Sequence, residues 1–140
     1  MQLTFLKPDL KTKYPIPFYM SPVRAGFPSP AEDYIENSLD LNHFLIKHPA
    51  ATFFVRVEGD SMNGANISKG DILVVDKAIK PAHKKIIIAS VNGEFTVKRL
   101  YIEGPNIFLY SENPKFKPIK IQESSDFEVW GVVTYIIHKA

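Results

Sequence analysis

From Ala51 to the C-terminus, apolar and polar positions alternate in short runs separated by glycine, asparagine or proline. Thr52–Val57, Asp71–Asp76, Ile86–Val91, Glu94–Ile102, Ile107–Tyr110 and Phe127–Ile137 are rich in β-branched and aromatic residues, the composition of half-buried pleated strands. Asn92-Gly93 lies between two of these runs and predicts a two-residue hairpin, because both residues tolerate the positive φ that such a turn needs. No helical pattern separates the strands, so the core is expected to be antiparallel β rather than a parallel α/β sheet.

The first thirty residues have a different texture. Six of the eleven prolines fall there, at Pro8, Pro15, Pro17, Pro22, Pro28 and Pro30. Proline fixes φ and removes a backbone donor, which excludes a regular helix or a central strand. The segment reads as an extended arm, and its aromatics (Phe5, Tyr14, Phe18, Tyr19, Phe27) suit docking on a surface. Ser29-Pro30-Ala31-Glu32 then carries the N-cap, first-turn proline and capping-box residues of a helix start. A short helix through about Asn37 is expected, with a second helical turn from Leu41 to Ile46 ending before Pro49.

Composition narrows the class. A chain of 140 residues, 45% hydrophobic, fits one domain with an adequate core. With no cysteine, disulfides and thiolate metal sites are excluded and a reducing compartment is natural. The N-terminus shows no apolar signal segment and no run approaches a membrane span, so a soluble cytoplasmic protein is expected. A net charge of +2, with Lys84-Lys85 and Lys98-Arg99 as isolated pairs, argues against direct sequence-specific DNA binding.

Two positions could carry chemistry. Ser61, in Glu58-Gly59-Asp60-Ser61-Met62, sits where a strand breaks into a turn whose backbone N–H groups can face an oxyanion. Gly59-Asp60-Ser61 also reads as ordinary turn chemistry. None of His43, His48, His83 and His138 lies in a motif that would make it a triad base, and no nucleophile elbow surrounds Ser61. A lysine is the other available base. In Glu94–Ile102, alternation puts Lys98 on one face with Thr96, Leu100 and Ile102. Burial disfavours the ammonium and lowers a lysine pKa from its ordinary value of about 10.4; snorkelling at a strand edge would leave it unchanged.

Taken together, Gly59-Asp60-Ser61-Met62 and Lys98 within Glu94-Phe95-Thr96-Val97-Lys98-Arg99, 37 residues later, resemble the LexA/UmuD family of self-cleaving Ser-Lys serine proteases. Ile67, Gly70-Asp71, Leu73-Val74-Val75-Asp76 and Val129-Trp130-Gly131-Val132-Val133 extend the match. Ala25-Gly26-Phe27-Pro28-Ser29-Pro30-Ala31 resembles the cleavage region of the UmuD branch, as does Asp40-Leu41-Asn42 through His48-Pro49, and only a short arm stands where a LexA-type repressor carries a DNA-binding domain.

The resemblance implies a mainly β fold of curved antiparallel sheets with a short N-terminal helix and an extended arm. It implies residues 1–25 as an arm removed by self-cleavage and 26–140 as protease core and dimerisation domain. Ser61 is then the nucleophile, Lys98 its base, the Ser61 and Met62 N–H groups the oxyanion hole, and Ala25-Gly26 the bond cut. No metal or cofactor is implied. A cytoplasmic homodimer in the SOS response to DNA damage follows, cut with the help of a RecA–single-stranded DNA filament. The product would serve a UmuC-type polymerase in error-prone translesion synthesis. The alternatives are a non-catalytic polymerase-docking subunit with a vestigial dyad, a signal-peptidase-like enzyme lacking the expected membrane anchor, and a fragment of a phage repressor.

Overall fold

The computed structural model describes residues 3–11, 15–19, 35–59 and 62–140. The chain divides into two compact units, one of Met1–Pro8 with His48–Ala140 and one of Asp9–Lys47.

The first unit is an eight-stranded antiparallel sheet. Its strands are β1 (Leu3–Leu6), β4 (Thr52–Val57), β5 (Ile72–Asp76), β6 (Ile86–Val91), β7 (Glu94–Glu103), β8 (Asn106–Tyr110), β9 (Ile119–Lys120) and β10 (Phe127–Ile137). They are ordered β1-β4-β5-β10-β6-β7-β8-β9. The six runs of alternating residues downstream of Ala51 all form strands, within a residue of their expected ends. Asn92 and Gly93 take φ of 49° and 85°, the pair of positive values of a primed turn, and close the β6–β7 hairpin with Val91 opposite Glu94.

The sheet curls because its central strand is irregular. β10 pairs with β6 over Phe127–Val132 and with β5 over Val132–Ile137. The register shifts between Val129 and Gly131 and again between Val133 and Tyr135, and such bulges bend a strand and increase its twist. The curl is tight enough for Phe5 on β1 and Phe95 on β7 to meet with ring centroids 4.9 Å apart. Alternation then supplies two cores. Val55, Val57, Met62, Leu73, Val75, Ile88 and Val97 fill one cluster; Ile87, Ala89, Leu100, Leu109 and Val132 fill the other. Neighbours such as Ile87 and Ile88 point to opposite sides, as the period of two demands.

Two histidine–aspartate contacts brace the ends of β5. The buried Asp71, just before it, meets His138 Nδ1 at 2.6 Å, and the buried Asp76, its last residue, meets His48 Nδ1 at 2.6 Å. Their second carboxylate oxygens or partners are satisfied locally, by the Ser68 and Ala78 backbone N–H groups at 2.8 Å each. Neither histidine lies in a motif that would make it a triad base, and each pairs with an aspartate distant in the sequence.

The second unit pairs β2 (Pro15–Tyr19) with β3 (Ile35–Asp40) antiparallel, followed by α1 (Leu41–Leu45). The helical turn near Leu41 is present. The helix expected through Asn37 is not, because Ile35–Asp40 is a strand. A capping box contributes only about 1 kcal/mol, too little to overcome helix nucleation in a segment that gains a strand partner. The Ser29-Pro30 start itself lies outside the described residues. Prolines 15 and 17 sit in a two-stranded sheet, where every strand is an edge and a missing donor is tolerated. Among the described residues no helix is long and apolar enough to cross a membrane.

Gly131 permits the bulged crossing of β10 over β5: a Cβ there would lie 2.6 Å from Val75 Cγ1 and 3.2 Å from the Asp76 carbonyl oxygen. Gly131→Ala is therefore expected to lower stability by about 1–3 kcal/mol, the usual cost of overpacking, as read by urea unfolding.

Candidate active site

β7 carries Lys98 into the interior of the sheet. Val97 pairs with Ile88 and Lys98 with Ile87, so the two residues belong to opposite faces of a strand that is buried at its middle. Lys98 is only 7% exposed, which decides against snorkelling. Its Nζ donates to Thr96 Oγ1, two residues back on the same face, and to the Val97 carbonyl at 3.2 Å. Among the described residues no carboxylate pairs with it. Desolvation without a counter-charge pushes the Lys98 pKa below the ordinary lysine value.

These contacts matter chemically. An ammonium has three N–H donors and a neutral amine two. The Thr96 and Val97 oxygens take two, so neutral Lys98 keeps both satisfied and retains a lone pair able to accept a proton.

Beside Lys98 lies a cavity of about 610 Å³, within the range of ligand clefts. Asn92, Glu94, Thr96, Lys98, Ser111 and Lys117 are its polar lining, and Phe95, Phe116 and Ile119 are among its apolar lining. Phe116 and Ile119 are exposed, so apolar surface at this cavity faces solvent.

The turn that follows the candidate nucleophile is firmly anchored. Met62 is fully buried in the first core cluster, and its carbonyl accepts from the Ala65 and Ile67 N–H groups at 3.0 and 3.2 Å. Gly64 N–H donates to the Glu112 carbonyl at 2.8 Å, an approach so close that a Cβ on Gly64 would fall 2.2 Å from that oxygen. Glu112 itself adopts φ of 53° and turns its carboxylate to Arg99 Nε at 2.9 Å. One residue thus ties the Met62–Ala65 turn, through its backbone, to the strand position next to Lys98, through its side chain. Nothing local in the sequence marks Glu112 for this role.

Of the residues singled out from sequence, Lys98 and Met62 are described, both buried. Ser61, the Ser61 oxyanion N–H and the Ala25-Gly26 bond lie outside the described residues. None of the four histidines lines the Lys98 cavity.

A curled antiparallel sheet carrying a buried lysine in the wall of a cleft suits a peptidase class. The Peptidase S24-like family profile matches residues 17–134, and the chain belongs to that family. It is 46% identical over 133 residues to Protein ImpA of Salmonella typhimurium, covering 94% of this chain and 90% of the relative. To Protein SamA of Salmonella typhimurium (strain LT2) it is 50% identical over 123 residues, 88% of this chain and 85% of the relative. To the LexA repressor of Psychromonas ingrahamii it is 39% identical over 119 residues, 84% of this chain but 56% of that protein. These relatives bear out the LexA/UmuD resemblance and with it the reading of the chain as a UmuD-like SOS-response protein.

Burial of Lys98 also sets a pH dependence of stability. Its folded pKa is lowered, so between that value and the ordinary one the unfolded chain binds more protons and stability rises with pH. Lys98→Met is expected to resist urea better than the parent at neutral pH, with the gain shrinking as pH approaches about 10. A pH-independent difference would contradict the burial argument.

Proposed function

We propose that this chain is a serine endopeptidase that cuts its own Ala25-Gly26 bond through a Ser61–Lys98 dyad. The observation that carries the reading is Lys98: buried, lacking a carboxylate partner among the described residues, and set in the wall of a peptide-sized cleft. Neutral Lys98 takes the Ser61 hydroxyl proton and Ser61 Oγ attacks the Ala25 carbonyl carbon. The backbone N–H groups of Ser61 and Met62 hold the oxyanion, and the anchoring of the Met62–Ala65 turn to Glu112 keeps them in place. Collapse of the tetrahedral intermediate breaks the Ala25–Gly26 C–N bond while Lys98 returns its proton to the Gly26 amine. Water then hydrolyses the Ser61 ester, with Lys98 again as base. Small residues flanking the bond suit a cleft that must bring the carbonyl to within about 3–3.5 Å of Oγ.

In this reading the RecA–single-stranded DNA filament promotes docking of the arm in the cleft. Residues 1–25 form the removable arm, and 26–140 dimerise and serve as accessory subunit to a UmuC-type translesion polymerase in the cytoplasm. The purified chain, incubated between about pH 7 and 10 with and without filament and nucleotide, is expected to be cut after Ala25 and faster as Lys98 deprotonates. Ser61→Ala and Lys98→Ala should each slow the cut at least about 100-fold by mass spectrometry. Cleavage undiminished in either variant would overturn the dyad, and no cut under any condition would leave the docking-subunit alternative.

A further inference from the structure

β1 is an edge strand bound to the core by very little. Leu3, Thr4, Phe5 and Leu6 pair with Val57, Arg56, Val55 and Phe54 along one side of β4, whose other side is taken by β5. Leu3 packs on the first core cluster, over the fully buried Val55 and Val57. Phe5 joins an aromatic group, with ring centroids 5.4 Å from Phe53, 4.9 Å from Phe95 and 6.3 Å from Trp130, yet remains 37% exposed. Four residue pairs, Leu3 on the core and one partly covered ring hold β1 to the β4 edge, a short contact that its tether reinforces.

The site is also better than its occupant. Trp130 lines a cavity of about 260 Å³ beside Phe5, Leu6 and Phe53, and that cavity is almost wholly apolar apart from Lys7 and Lys77. Trp130 Nε1 is buried and has no hydrogen-bond partner among the described residues.

We propose that the β4 edge with its aromatic pocket is a strand-receptor site, occupied by β1 in the intact chain and made exchangeable by the 25–26 cut. Its ligand is an extended partner segment with an aliphatic residue and an aromatic residue two positions later, running antiparallel to β4 as Leu3-Thr4-Phe5 does. The inference rests on the cut assigned under the proposed function. The cut leaves β1 on a fragment whose described contacts include the β1–β4 pairing, the packing of Leu3 and Phe5, and the β2–β3 pairing, a two-stranded sheet that is marginal alone. A tether provides an effective concentration on the order of 0.1–1 mM, so a free fragment at about 1 µM is roughly 100–1,000-fold more dilute and leaves. The uncovered edge then offers backbone donors and acceptors for β-augmentation.

The test uses the full chain with a recognition site for a sequence-specific protease placed at 25–26, so that the cut does not depend on self-cleavage. Trp130 is the single tryptophan, and its fluorescence reports the site directly. After cutting and dilution to about 1 µM, native mass spectrometry should show the 1–25 fragment lost. A peptide of residues 1–11 should then produce a saturable Trp130 change in the cut protein and none in the uncut chain at the same concentrations. The same peptide with Phe5→Ala should bind at least about 10-fold more weakly. A fragment that stays bound on dilution, equal binding to cut and uncut chains, or indifference to Phe5→Ala would each overturn the proposal. Failure of the natural chain to cut itself would instead count against the protease reading alone.

Discussion

The burial of one lysine on β7 without a counter-charge governs the rest of the site. Taking an ammonium out of water is costly unless it is paired, and a lysine so placed relieves the cost by giving up its proton. The sheet supplies what the neutral amine needs and no more: a hydroxyl two residues back on the same face and a carbonyl from the adjacent peptide. In the proposed mechanism this neutral amine takes the serine proton, the part that histidine plays in a triad. The same burial strains the folded chain at neutral pH, so stability and reactivity draw on one desolvation energy with opposite signs.

Curvature turns that strand position into a site. The two bulges of β10 let one strand serve β5 and β6 in succession, and the resulting curl brings β1 and β7 within ring contact. A flat sheet would leave Phe95 and Phe5 at remote positions. In the curled one, Phe95 both lines the Lys98 cleft and packs on the aromatic group that receives β1. Cleft and strand groove therefore share a residue. Glu112 adds a second link, fixing the turn after Ser61 to the strand that carries Lys98.

Much of the core was legible because alternation survives burial on both faces. Each β-branched run downstream of Ala51 became a strand, and Asn92-Gly93 became the primed turn its residues favour. The short strands were not legible. Leu3–Leu6 and Ile119–Lys120 are too brief for periodicity to rise above chance, and Ile35–Asp40 follows a helix-start signal that a strand partner outweighs. At the candidate site, sequence placed Lys98 on an apolar face but left the position of its head group open. That position depends on Thr96 and on the curl of neighbouring strands. The Glu112 bridge and the histidine pairings, 28 and 67 residues apart in the chain, are products of topology and leave no local trace.

The account stands most directly on the protonation state of Lys98. Nuclear magnetic resonance titration of the lysine side chains, in a Ser61→Ala chain labelled at lysine Cε, measures it residue by residue. Lys98 should titrate below the exposed lysines, its resonance identified by its loss in Lys98→Met. A Lys98 that titrates together with the surface lysines would contradict the claim that burial makes it a base.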